Sequence, residues 1–176
     1  SMAEEIDVGD NPIGILTAMN RDDWADARHA LLHGHPQNIA SLEAIETALF
    51  SRCLDNSSPI NLDYRFRDIL HCDGTNRWFD KFFQFIVAKN GKFGVNGDHS
   101  GLDGYPVHRL IKFIYDESAK TDLSDPFEVD TKTDAANPPQ RLEFYLNDTL
   151  EEIIRNAALS FDAFKKDTLS RVIEYR

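Results

Sequence analysis

His99 lies in GVNGDHSGLDGYP, Gly94 to Pro106, a stretch with four glycines, two acids and one histidine in thirteen residues. An imidazole titrates near neutrality, with an ordinary pKa of about 6.5, so it can take a proton from a hydroxyl or thiol and return it. Asp103 follows four residues later. If the chain turns after a strand and enters a helix near Asp103, the carboxylate can accept one ring N–H and leave the other nitrogen as the base. Gly97, Gly101 and Gly104 allow unusual dihedrals and close approach of a substrate. HSGLDG therefore has the form of an acyl-transfer site with a base and no protein nucleophile. Alone, the same spacing also suits a turn histidine bonded to Asp103 for local structure.

Other residues carry weaker chemistry. Ser100 adjoins His99, but neighbouring side chains on a turn diverge and the chain has no G-x-S-x-G elbow, so a hydrolase is disfavoured. His29, His33 and His35 in HALLHGH share a helix end without a Cys or a well-placed carboxylate. They read as solvated, and no metal site is assigned. His71 and His108 read as histidines without a chemical role. Phe79, Phe82, Phe83 and Phe85 read as core, since no basic residues interleave them as in a base-stacking platform. Lys81, Lys89 and Lys92 read as solvated hairpin charges, and Asp80 is the expected partner of Arg77. Cys53 and Cys72 lack metal-ligand spacing and read as buried small hydrophobes in a reducing interior.

These residues need a scaffold to position them. NRDDWADARHALLHG predicts a helix capped by Asn20, with Trp24, Ala27, Leu31 and Leu32 on one face and Gly34 and Pro36 stopping it. NIASLEAIETALFSRCL predicts a second, with Ile39, Leu42, Ile45, Leu49 and Cys53 at helical spacing, broken by DNSSPINLD. Phe82 to Gly97 predicts a β-hairpin turning at Asn90-Gly91, with His99 just past its second strand. YPVHRLIKFIYDESAK predicts a helix through Val107, Leu110, Ile111 and Ile114, followed by a polar loop, KTDLSDPFEVDTKTDAANPP. A strand at RLEFYL, a helix in DTLEEIIRNAALSFDAFKKD capped by Asp148, and a strand at SRVIEYR complete the reading. The fold class is α/β, a mixed β-sheet with flanking helices.

At 176 residues and 41% hydrophobic content the chain can bury a real core. Its formal charge of -11 and lack of a local basic patch disfavour nucleic acid and anionic membranes as partners. No apolar run reaches the length of a membrane span, and SMAEEIDVGD lacks the features of a signal peptide. Ser1-Met2 reads as a cloning remnant, and the chain reads as a piece of something longer.

Several stretches together carry a resemblance. IGILTAMNRDDWADARHALL, FSRCLDNSSP and NRWFDKFFQFIVAKNGKFGVNGDHSGLDG, in that order and with the helix–strand ending, resemble the choline/carnitine O-acyltransferase family, most closely its carnitine acetyltransferase branch. The resemblance covers nearly the whole chain, and NRWFDK is its most specific word. It implies reversible transfer of an acyl group, acetyl first, between coenzyme A and carnitine. His99 matches the family's general base and Asp103 its acidic partner. Coenzyme A would be a co-substrate, with no bound cofactor. The implied fold is a chloramphenicol acetyltransferase-like two-domain acyltransferase, and the implied residence is intracellular, mitochondrial or peroxisomal.

On this basis residues 1–12 are read as a remnant and flexible N-terminus. Residues 13–138 form part of the histidine-bearing domain, and 139–176 are a candidate start of the second. Asp98 departs from the Glu that members commonly place before the histidine. The Gly/Lys-rich coenzyme A loop, the carnitine anchor and the oxyanion donors fall outside the chain, so the fragment alone is expected to be inactive. Two other readings stay open: another His-x-x-x-Asp-Gly acyltransferase, or a non-catalytic binding or assembly module.

Overall fold

The computed structural model describes residues 12–101, 103–120 and 138–175. Residues 1–11 and 121–137 lie outside it, and with them most of the expected N-terminal remnant and polar loop. Contacts divide the chain into two units, one running to Asp98 and resuming at Glu143, the other His99–Leu142.

The first unit opens with a 3-10 helix, Ile13–Ala18, followed by α1, Arg21–Gly34. The Asn20 side chain accepts from the Asp23 amide at 3.0 Å, satisfying one of the free N–H groups of the first turn, and Asp22 and Asp23 favour the positive end of the helix dipole. Trp24, Ala27 and Leu31 face inward, as their spacing predicts. Only His35 separates α1 from α2, Pro36–Thr47, where Pro36 occupies the first turn and loses no needed donor. The core gathers Ile15, Leu16, Trp24, Leu31, Leu42 and Trp78 against Leu150, Ile154 and Ala157 of the last helix, α5, Asp148–Asp167.

The second helix is shorter than its apolar spacing predicts. It ends at Thr47, Leu49 is 81% exposed, and Ser51–Asp55 forms strand β1 with Cys53 buried in it. Partnership with a strand some thirty residues on decides this over the helical spacing. Helix α3, Leu62–Leu70, begins inside the expected break DNSSPINLD and is capped by the Asn61 side chain accepting from the Tyr64 amide. It lies within the crossover that a parallel pair requires. β1 runs parallel to β2, Phe83–Ala88, with Cys53 opposite Ile86, and β2 runs antiparallel to β3, Phe93–Gly97. The hairpin and its Asn90-Gly91 turn are as predicted, with Gly91 at φ 75° where a side chain would be strained.

Two other expected strands are absent. RLEFYL is irregular, and side chains of α2 take the place of a neighbouring strand: Asn38 accepts from the Tyr145 amide and donates to the Tyr145 carbonyl, while Ser41 donates to the Glu143 carbonyl. The described part of SRVIEYR is also irregular and is tied to α3 by the Val172 amide donating to Asp63. α5 begins where predicted, but its cap is Asn147, not Asp148, accepting from the Leu150 amide at 2.9 Å. Asp148 lies inside the first turn. The α/β class with a mixed sheet and flanking helices holds.

In the second unit, α4 spans Gly104–Ser118. Val107, Ile111 and Ile114 keep the predicted spacing and are half-buried. No helix among the described residues is long and apolar enough to cross a membrane.

Candidate active site

β3 ends at Gly97, and the Asp98 amide donates to the Phe82 carbonyl at 3.3 Å, so the open end of the hairpin leads straight into His99. His99 and Ser100 turn, Gly101 bends, and Asp103 caps α4, its Oδ1 accepting from the Gly104 amide at 2.7 Å. Leu102 lies outside the described residues. The structure therefore brings His99 and Asp103 together, with His99 Nε2 at 3.6 Å from Asp103 Oδ1. That is within ion-pair distance and too long for a hydrogen bond. The Gly104 amide at the start of α4 holds the Asp103 carboxylate in place. Both side chains are open to solvent, 78% and 90% exposed. Of the three glycines, Gly97 closes β3, Gly101 lies in the bend, and Gly104 is the first residue of α4.

NRWFDK, the segment before β2, ties six elements of the first unit together. Asn76 donates to the Leu54 carbonyl and to Asp55. Arg77 forms a fork with Asp55 at 2.9 and 2.7 Å, both side chains essentially buried, and also donates to the Asp68 carbonyl. Burial pulls the Arg77 guanidinium down, but its hydrogen bonds with Asp55 and the carboxylate charge outweigh that and hold it above its ordinary value. Trp78 is buried edge-on to Trp24 at 5.7 Å, and its amide donates to the buried Gln84 side chain. The Phe79 amide donates to Thr17, whose hydroxyl donates to the Gly14 carbonyl. A Cβ on Gly14 would come within 2.3 Å of the Arg77 carbonyl oxygen, so only glycine permits this contact. Asp80 accepts from Arg21 and from the Trp24 indole, fastening the start of α1.

Three expectations are corrected here. Arg77 pairs with Asp55, because the fork needs a carboxylate that shares its burial, and Asp80 turns to α1 instead. Lys81 is not a solvated hairpin charge: it is buried, and its ammonium donates to the Glu46 and Ala48 carbonyls, closing the end of α2. Phe79, Phe82, Phe83 and Phe85 are half-buried and not core. Phe83, Phe85 and Phe93 stack along one face of the sheet, with Phe50 edge-on to Phe85. Asp55 and Gln84 are the residues the sequence reading missed. A lone polar residue in alternation with Cys53 or Ile86 on a strand face was the available signal.

Cys53 and Cys72 are free thiols, Cys53 buried and Cys72 partly so, and burial pushes both thiol pKa values up. His29, His33 and His35 are exposed at the end of α1, as expected, and His108 is exposed on α4. His71 is half-buried, its Nδ1 3.0 Å from the Cys72 carbonyl oxygen. A groove of about 460 Å³ lies between α1 and α5, lined by Met19, Asn20, Asp23, Asn156, Phe161 and Phe164 among others; neither His99 nor Asp103 contributes to it.

Residues 2–176 match the family model described as Choline/Carnitine o-acyltransferase. Human mitochondrial carnitine O-palmitoyltransferase 2 is 36% identical over 165 residues, covering 94% of this chain and 25% of that protein. The mouse enzyme of the same name is 34% identical over 175 residues, covering 99% and 26%. The mitochondrial carnitine O-acetyltransferase of Saccharomyces cerevisiae is 34% identical over 152 residues, covering 85% and 22%. The chain thus spans about a quarter of the length of these relatives, and the identities do not separate the palmitoyl from the acetyl branch.

Proposed function

The chain belongs to the choline/carnitine O-acyltransferase family, and from that premise we propose that it carries the proton-transfer residues for reversible acyl transfer between coenzyme A and carnitine. His99 is the general base. In one direction it takes the carnitine hydroxyl proton as the oxygen attacks the thioester carbonyl. The tetrahedral oxyanion then collapses, the carbon–sulfur bond breaks, and the thiolate leaves with the proton returned by His99. In reverse, His99 takes the thiol proton and returns it to the carnitine oxygen. Asp103 holds the imidazole in orientation. The observation supporting this is the Asp103 carboxylate, fixed by the Gly104 amide and lying 3.6 Å from His99.

The exposure of both side chains fits a half-site that gains its walls elsewhere. We assign the coenzyme A grip, the carnitine anchor and the oxyanion donors to sequence beyond this chain, in a two-domain fold like that of chloramphenicol acetyltransferase. Residues 13–138 then belong to the first domain, and 139–176 are the candidate start of the second. Coenzyme A enters as co-substrate, acetyl is the first acyl group to try, and residence is mitochondrial, with the peroxisome as the other candidate. The isolated chain has no appreciable turnover.

The test offers carnitine, choline, a lipoyl thiol and an antibiotic hydroxyl side by side to a protein of the relatives' length that carries this chain. Carnitine should be preferred with acyl-coenzyme A as donor. Preference for another acceptor, or robust turnover by the isolated chain, would defeat the respective parts of the proposal.

A further inference from the structure

His29 and His33 lie four residues apart on α1, on one exposed face, with ring centroids 3.9 Å apart and planes 26° from parallel. His33 Nδ1 is 2.8 Å from the His29 carbonyl oxygen. A carbonyl only accepts, so that nitrogen carries the proton and the lone pair of a neutral ring is at Nε2. Metal-ligating histidines are commonly prepared in this way, by donating one ring N–H to a carbonyl while the other nitrogen faces outward. The neighbouring cation, Arg28, is engaged by Glu46 through two bonds of 2.6 and 2.7 Å, and the chain's charge of -11 favours a cation.

We propose that His29 and His33 form a two-imidazole chelate for a borderline divalent metal ion of the zinc, nickel or copper class. His35 takes no part: its Nδ1 accepts from the Gln37 amide, capping α2, and its ring stacks on Tyr145 at 4.1 Å. Among the described residues no group of three or more His, Cys, Asp or Glu is arranged to hold a metal. The chelate is therefore completed by water and exchanges freely, unlike a closed structural zinc site. All-imidazole donors order the affinities as copper above nickel and zinc, and give magnesium and calcium no purchase.

Nickel chloride titrated calorimetrically into the chain, in a non-chelating buffer at neutral pH, tests this. One saturable equivalent is expected, with none for magnesium. His29→Asn and His33→Asn should each weaken nickel binding at least tenfold, whereas His35→Asn, which keeps a capping side chain, and His99→Asn should stay within twofold. Nickel should also raise the thermal midpoint of the native chain and of His35→Asn but not of the two ligand variants, because an ion bound to the folded state stabilises it. Absence of a saturable equivalent, retention within twofold in either ligand variant, or loss on His35→Asn overturns the site.

Discussion

Replacing Asp55 by Asn removes one negative charge and little volume, and it should be among the most damaging substitutions in the chain. Asp55 accepts from both Arg77 Nη atoms, at 2.9 and 2.7 Å, and from Asn76 at 2.9 Å; the Arg77 and Asp55 side chains are 0% and 3% exposed. Arginine does not deprotonate, so without the carboxylate its charge stays buried and unpaired. Breaking one side of such a pair costs about 3–5 kcal/mol, against a total of roughly 5–15 kcal/mol for a domain. With a urea m-value of about 2 kcal/mol/M, a 4 kcal/mol loss moves the midpoint down by about 2 M. Arg77→Met should be as harmful. The pair Asp55→Leu with Arg77→Met should cost less than either single change, because no charge is then left stranded. Urea denaturation followed by circular dichroism measures all four proteins. A loss below about 1 kcal/mol for Asp55→Asn, or a double variant as damaged as the sum of the singles, refutes the view that Arg77 and Asp55 are a mutually dependent pair.

Asn147→Ala should lower stability by about 1 kcal/mol in the same assay through loss of the α5 cap, with Asp148→Ala affecting it less. Burial of the Asp73 carboxyl opposes its ionisation, but bonds from the Thr75 hydroxyl and amide outweigh that and hold its pKa below the ordinary value. Its stabilisation is complete above the unfolded pKa of about 3.9 and lost as pH falls through the lower folded value. Asp73→Asn should therefore flatten the acid limb of a stability–pH curve. Because burial raises the pKa of both thiols, alkylation by iodoacetamide at pH 8 should be slow for Cys53 and Cys72 in the native chain and fast in urea. In a protein of the relatives' length that carries this chain, Asp103→Asn, which keeps a capping oxygen, should lower turnover without loss of helix, whereas Asp103→Ala should lower both.

Local signals in the sequence were reliable where the structure is local. Asn20 with the apolar stripe of α1, the Asn90-Gly91 turn and the span of α5 all follow from neighbours within a few residues. The misreadings share a cause, which is partnership at long range. β1 exists because Cys53 faces Ile86 across a parallel ladder, and RLEFYL is held by Asn38 and Ser41 more than a hundred residues away. Lys81 looks solvated until the end of α2 folds over it. At the candidate site, the His99–Asp103 pairing was legible because both residues sit within one turn and a helix start. Asp55, the partner of Arg77, was not, since its alternation with Cys53 counts as a signal only once Ser51–Asp55 is read as a strand.

The central claim is that His99 moves the proton. It is tested most directly by replacing His99 with Ala in a protein of the relatives' length and following thiol release from acyl-coenzyme A with carnitine present. Positioned acid–base groups contribute about 10²–10⁴-fold, so turnover should fall by at least a hundredfold with the circular dichroism spectrum unchanged. Turnover within threefold of the parent in a folded His99→Ala protein would contradict the account.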